Sequence, residues 1–208
     1  MTDTDRFPAF PKIPRLHREV VITEKIDGTN GIIEIVPGSP SGNYYDRALG
    51  QADDGSYWYV RAGSRNRWLL PLKGADNFGF ADWMFGNADE LVKVLGPGIH
   101  YGEWWGQGIQ RGYGLDHKRF SLFNVSRWGD LLELERIPGL DVVPTLVTGN
   151  ADNLNSLVDG ALWDLEDIGS AAAPGFMNPE GVVVYHKAGN HLYKVTLEKD
   201  EEPKGKNR

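Results

Sequence analysis

Val20-Val21-Ile22-Thr23 and Ile32-Ile33-Glu34-Ile35-Val36 are two β-branched runs close together in the chain. Glu24-Lys25-Ile26-Asp27-Gly28-Thr29-Asn30-Gly31 lies between them. Such runs predict strands, and Asp-Gly predicts a tight turn. The expected form is a strand, a turn and a return strand, with one lysine at a buried strand end between carboxylates. A lysine in water has a pKa of about 10.4 and is almost wholly protonated at neutral pH. Dehydration and a neighbouring cation free its amine as a nucleophile. On its own, Lys25 reads better as a surface lysine beside a turn, and the pieces that follow shift that balance.

The chain has 208 residues, enough for one domain with a sizeable core, and 40% of them are hydrophobic. The absence of cysteine excludes disulfides and thiolate metal sites. No apolar run approaches a membrane span, and the N-terminus lacks a signal peptide's apolar core. A cytoplasmic protein with no membrane partner is expected. The net charge of -7 argues against nucleic-acid binding over the whole surface, but leaves room for a local basic groove. Seven tryptophans, eight tyrosines and eight phenylalanines are a heavy aromatic load; most are expected in the core, and base stacking also uses such side chains.

Further elements follow from pattern. Pro8, Pro11 and Pro14 predict an irregular arm over 1–19. Residues 37–43 predict a loop, and the polar region through Asp53-Asp54-Gly55 extends it. Strands are expected at 57–63, 99–106, 119–126, 142–147, 180–185 and 191–197. Two helices are expected at 77–95 and 152–168, where apolar residues recur at three- and four-residue steps. Asn77 and Gly96 would cap the first. Residues 106–114 are glycine-rich and fit no phosphate-binding loop, so a mobile connector is expected there. A turn at 128–130 leads to 131–134, and 170–179 form a loop.

Chemistry-bearing residues fall at the ends of these strands. Arg61, Arg65 and Arg67 form a basic cluster, either a solvated strand end or guanidinium forks for phosphate or ribose. Glu103 lies inside an aromatic strand, where a carboxylate is costly without a partner. Phe120 and Phe123 differ by an odd step and face opposite sides. Glu180 stands at a strand mouth, and Lys194 lies in the last strand. Arg111, Lys118 and Arg119 are candidates for a nucleic-acid track.

Lys25-x-Asp27-Gly28-x-Asn30 resembles motif I of the covalent nucleotidyltransferases, the nucleic-acid ligases and mRNA capping enzymes. The ending in Asn30 resembles the nick-sealing RNA ligases. The later pieces follow in that family's order. Arg65 matches motif Ia, with Arg61 in reserve. Tyr101-Gly102-Glu103 matches motif III. Phe123 matches the stacking aromatic of motif IIIa, although Asn124 stands where aspartate is frequent. Glu180-Gly181 matches motif IV. Lys194 matches motif V, but Thr196 departs from its Lys-x-Lys, and Lys187 is a candidate substitute.

The resemblance implies an α+β fold: antiparallel β-sheets around a cleft, flanked by helices, a nucleotidyltransferase (ATP-grasp-like) domain of the ligase and capping-enzyme type. One adenylyltransferase domain would fill 1–197, with a charged tail over 198–208. The implied activity is ATP-dependent RNA ligation through a lysyl-AMP intermediate and an adenylylated 5′ end. Lys25 would be the nucleophile. Glu24 would select adenine through its amino group, since guanine presents an acceptor there. Asn30, Arg65, Glu103, Phe123 and Lys194 would bind the nucleotide, and Glu180 a metal. ATP and Mg²⁺ (or Mn²⁺) are the implied cofactors. RNA or a nicked duplex with 5′-phosphate and 3′-OH ends is the implied partner. The family's common C-terminal domain has no counterpart after motif V, so an accessory end-binding protein is a possible further partner. Two alternatives stand beside this reading. One is a minimal DNA ligase or a capping-type guanylyltransferase of the same fold. The other is a nucleotide-binding module without catalysis, which Thr196 favours.

Overall fold

In a computed structural model, residues 10–38, 47–129 and 132–198 are described. The strands in chain order are β1 (Glu19–Lys25), β2 (Thr29–Pro37), β3 (Ala48–Gln51), β4 (Tyr57–Gly63), β5 (Gly98–Gly106), β6 (Lys118–Leu122), β7 (Leu140–Val142), β8 (Thr145–Asn150), β9 (Gly181–His186) and β10 (His191–Thr196). The helices are α1 (Phe80–Gly86), α2 (Ala88–Leu95), α3 (Val125–Trp128) and α4 (Leu154–Asp167). The strands make a four-stranded sheet in the order β10-β9-β1-β8 and a six-stranded sheet in the order β3-β4-β2-β5-β6-β7. Every pairing is antiparallel except β6 with β7. The architecture is the expected α+β class of antiparallel sheets and helices.

The first expectation to change is the hairpin. β1 pairs with β8 and β9, whereas β2 pairs with β4 and β5. The segment from Ile26 to Gly28 therefore carries the chain from one sheet to the other and closes no hairpin. Gly28 is required for close approach rather than for a tight turn. A Cβ there would lie 2.5 Å from the Trp104 carbonyl oxygen and 2.8 Å from Trp105 Cβ.

Each sheet buries one face under helices. Ile33, Ile35, Val60 and Ala62 pack with Phe80 and Met84 of α1 and with Leu91, Val92 and Leu95 of α2. Val20, Ile22, Val182 and Val184 pack with Ala161 and Leu165 of α4. A third cluster, Ile26, Trp105, Tyr113, Val143 and Ala173, lies beneath the crossing between the sheets.

Further expectations change. The strand expected at 119–126 ends at Leu122, and Val125–Trp128 form α3. The polar stretch read as loop contains β3, a short edge strand on which α2 sits closely; a Cβ on Gly50 would lie 2.5 Å from the Ala88 carbonyl oxygen. The helix expected at 77–95 is two helices that meet at Asn87. Asn77 does not cap it. Gly79 is the N-cap residue, and the Asp76 carboxylate accepts from the N–H groups of Asn77, Ala81 and Asp82. Gly96 ends the second helix as expected, at φ 65. The strand expected at 142–147 divides at Val143-Pro144, where the chain passes from β7 in one sheet to β8 in the other. Proline donates no ladder hydrogen bond, and the Pro144 carbonyl accepts from Glu24 N–H instead. The expected features at 1–9, at 39–46, at 130–131 and in the tail beyond Glu198 lie outside the described residues.

Candidate active site

Lys25 is the last residue of β1 and stands opposite Gly181 of β9. Gly181 has φ 148, and a Cβ on it would lie 2.2 Å from the Val195 carbonyl oxygen, so only glycine lets β9 and β10 close up here. Lys25 Nζ donates to Glu180 Oε2 in an ion pair whose side chains are 18% and 6% exposed. Motifs 155 residues apart in sequence thus meet through the pairing of β1 with β9. The first motif does not hold a solvated surface lysine.

The other sheet contributes Glu103 from β5, an interior strand between β2 and β6. It is 9% exposed and no edge-strand carboxylate. Its Oε1 accepts from Gly28 N–H at 3.2 Å and its Oε2 from Asn30 Nδ2 at 3.2 Å. Asn30 Oδ1 in turn accepts from Arg65 Nε at 2.9 Å. Burial pushes the Glu103 carboxyl up to about 7. The nearby Lys25 charge and the Gly28 N–H draw it down, and the Glu180 and Asp27 charges push it further up.

Three expected site residues lie outside this network. Lys194 pairs with Val183, which pairs with Thr23, so it shares the sheet face of Lys25, but it is exposed and makes no ion pair among the described residues. Thr196 is across Gly181 from Lys25. Phe123 follows β6 and is 41% exposed, while Phe120 is fully buried in the core. Glu24 faces away from Lys25 by strand alternation. It is 1% exposed, and its two oxygens accept from Ser170 Oγ at 2.6 Å and Ala172 N–H at 2.8 Å. Burial raises its carboxyl above the ordinary range against those bonds. A cavity of about 650 Å³ opens beside that loop, lined by Trp105, Arg119, Ser121, Val143, Thr145 and Ala172; Lys25 is not among its lining residues.

The sequence model of the RNA ligase family matches residues 18–196, most of the chain. This chain belongs to the RNA ligase family. No curated protein sequence matches it. Among solved structures, it resembles a mutant of the Naegleria gruberi RNA ligase with ATP and Mn at 16% identity and a TM-score of 0.57, covering 87% of this chain and 50% of that one. A second such mutant with ATP and Mn is 17% identical, with a TM-score of 0.56 and coverage of 89% and 52%. The same ligase with PPi is 16% identical, with a TM-score of 0.52 and coverage of 86% and 49%. These likenesses establish the shared fold. The chain spans about half the length of each of these relatives.

In this RNA ligase family member, the glycine-rich segment after β5 is no loose connector. Arg111 Nε donates to Asp27 Oδ2 at 3.3 Å. Its Nη1 donates to Asn178 Oδ1 at 2.7 Å, to the Asn178 carbonyl at 2.9 Å and to the Pro179 carbonyl at 3.3 Å. Tyr113 Oη accepts from Asp27 N–H at 2.9 Å, and burial raises its hydroxyl pKa. Arg111 therefore points inward rather than along a nucleic-acid track, and Arg119 is paired with Asp141. The only sequence sign of Arg111 was a lone guanidinium among glycines.

Among the described residues no group of three or more His, Cys, Asp or Glu side chains could hold a metal. Glu180, buried and paired with Lys25, has Glu103 and Asp27 nearby and is a hard oxygen donor. It fits a Mg²⁺-type ion, which keeps water and phosphate oxygens as its remaining ligands.

Proposed function

We infer that this chain is an ATP-dependent RNA ligase that joins 3′-OH and 5′-phosphate ends through lysyl-AMP and an adenylylated 5′ end. The observation that carries this reading is the largely covered Lys25 amine, bonded to Glu180 and close enough to Glu103 to bias its protonation. In the proposed reaction the deprotonated Lys25 amine attacks the α-phosphorus of ATP. A phosphorus–nitrogen bond forms as the bond to pyrophosphate breaks. Glu103, tied to Asn30 and Arg65, orients the ribose. Phe123 covers the purine, and Glu24 selects adenine through lone pairs that Ser170 and Ala172 leave open. Lys194 offsets phosphate charge from the next strand pair. A Mg²⁺ or Mn²⁺ ion at Glu180 would neutralise the triphosphate and polarise the α-phosphorus. AMP then passes to a 5′-phosphate, a 3′-hydroxyl attacks it, and AMP leaves.

Thr196, across Gly181 from Lys25, favours a second reading, a nucleotide-binding module. Incubation with α-labelled ATP or GTP decides between them. Protein labelled from ATP and lost in Lys25→Ala supports the ligase. Label from GTP supports a capping-type enzyme, and no label from either supports the binding module. RNA and DNA strands, nicked duplexes and an added end-binding protein then define the acceptor.

A further inference from the structure

One face of the six-stranded sheet carries a row of uncovered aromatic side chains beside the polar network of Glu103. The register defines it. Asn30 is opposite Glu103, and Glu103 is opposite Ser121, which makes a polar row. One pair further along, Ile32 is opposite Tyr101, and Phe123 N–H donates to the Tyr101 carbonyl at 2.9 Å. On the other side Ile32 is opposite Gly63, and Gly63 bridges to Trp68. By strand alternation Ile32 and Tyr101 share the face of Asn30 and Glu103, whose side chains bond each other. A Cβ on Gly63 would lie 3.1 Å from Trp68 Cε3, so the indole lies over the space that glycine leaves. The Arg61 guanidinium stacks on the same indole, 4.1 Å from its centre.

Trp68 is 41% exposed, Tyr101 53% and Phe123 41%. Packing does not require three large rings held open on one sheet face. Adjacent strands lie about 4.8 Å apart, so Tyr101 is next to Phe123 and roughly two strand spacings from the Gly63–Trp68 position. The row begins at the residue read above as covering the purine and runs away from it. Arg65 bonds Asn30 in the neighbouring polar row and brings a positive charge there.

We propose that Tyr101 and Trp68 form a stacking platform for the unpaired bases of the RNA strand whose end is brought to Lys25. This deepens the ligase reading and rests on it. The ligand is single-stranded RNA, because flat aromatic faces beside a guanidinium accept any base while the cation meets the backbone. Phe123 belongs to the nucleotide, and the two outer rings belong to the strand.

The test separates this platform from the ligase reading. Anisotropy with a labelled single-stranded oligouridylate of about ten nucleotides measures RNA binding, and α-labelled ATP measures adenylylation. Tyr101→Ala and Trp68→Ala should each weaken RNA binding about tenfold, and Tyr101→Phe should retain it. Their labelling from ATP should stay within about twofold of the parent chain, because the proposed reading gives the purine to Phe123 and neither outer ring a part in adenylylation. RNA binding unchanged in both alanine variants would overturn the platform, as would a parent chain that binds no RNA. Loss of ATP labelling in the parent chain would instead sink the ligase reading, while the binding comparison still judges the platform. Thermal melting of each variant verifies folding, which substitutions at such exposed positions should leave intact.

Discussion

Arg111 holds Asp27 from a distance of 84 residues in sequence, with Nε 3.3 Å from Oδ2, and the same guanidinium binds the backbone of Asn178 and Pro179. It ties the crossing that follows Lys25 to the residues that precede Glu180. Both ends of the Lys25–Glu180 pair are therefore set by one side chain, which acts by positioning. The Arg111–Asp27 pair is only 21% and 19% exposed. Hydrogen bonds to charged groups contribute about 1.5–3 kcal/mol each. Arg111→Ala should lower stability by roughly 2–3 kcal/mol, which a shifted urea midpoint would measure. It should also slow labelling from ATP. Arg111→Lys should recover part of the stability but little of the labelling, because a point charge cannot reach Asp27 and two carbonyls together.

Glu103 predicts a pH dependence. Its carboxyl is raised from 4.5 to about 7, chiefly by burial. The folded chain then holds the proton more tightly than the unfolded chain. The associated stability is complete below about 4.5 and is lost as pH rises through about 7. The full effect is on the order of 3 kcal/mol. Between pH 5 and pH 8 the parent chain should lose stability relative to Glu103→Gln, which stays neutral and still offers an oxygen to Gly28 N–H. Parallel urea profiles for the two chains would contradict this. Labelling from ATP should fall in the variant at both pH values.

Glu24 predicts base selectivity. Its two oxygens already accept from Ser170 and Ala172, so only its remaining lone pairs can meet an adenine amino group. In Glu24→Gln one of the two oxygens becomes a donor. The ratio of ATP to GTP labelling should then fall about tenfold, the value of roughly one hydrogen bond. An unchanged ratio would remove Glu24 from base recognition and leave it as the anchor of the 170–173 loop.

Much of this was legible where local pattern and tertiary need coincide. The strand read at 57–63 coincides with β4, because the stretch carries β-branched and aromatic residues between polar turns. The pairing of Lys25 with Glu180 and of Asn30 with Glu103 follows a motif order visible in the chain. The hairpin was misread because Asp-Gly marks a change of direction but does not name the strand that will pair. β1 finds its partners at 145–150 and 181–186. The single helix was misread because α1 and α2 bury one continuous set of apolar residues across Asn87, which keeps the period unbroken. Arg111 was misread because its path depends on positive φ at Gly106, Gly108, Gln110, Gly112 and Tyr113, and no periodicity encodes where such a segment goes.

Thr196 predicts a gain. It stands across Gly181 from Lys25, on the face that also carries Lys194. Lys-x-Lys would place two cations toward the transferred phosphate, and this chain offers one from β10. Two opposite charges about 4 Å apart gain roughly 1 kcal/mol in water and about 4 kcal/mol in a partly shielded cleft. Thr196→Lys should therefore accelerate labelling from ATP about fivefold, the lower end of that range. The gain should shrink as salt rises, since screening acts on the added charge. It should vanish in Lys25→Ala, which has no amine to attack. Single-turnover labelling at two salt concentrations measures both effects. A rate that stays flat or falls would show that the β10 face does not meet the phosphate, and Lys194 would lose its proposed role along with Thr196.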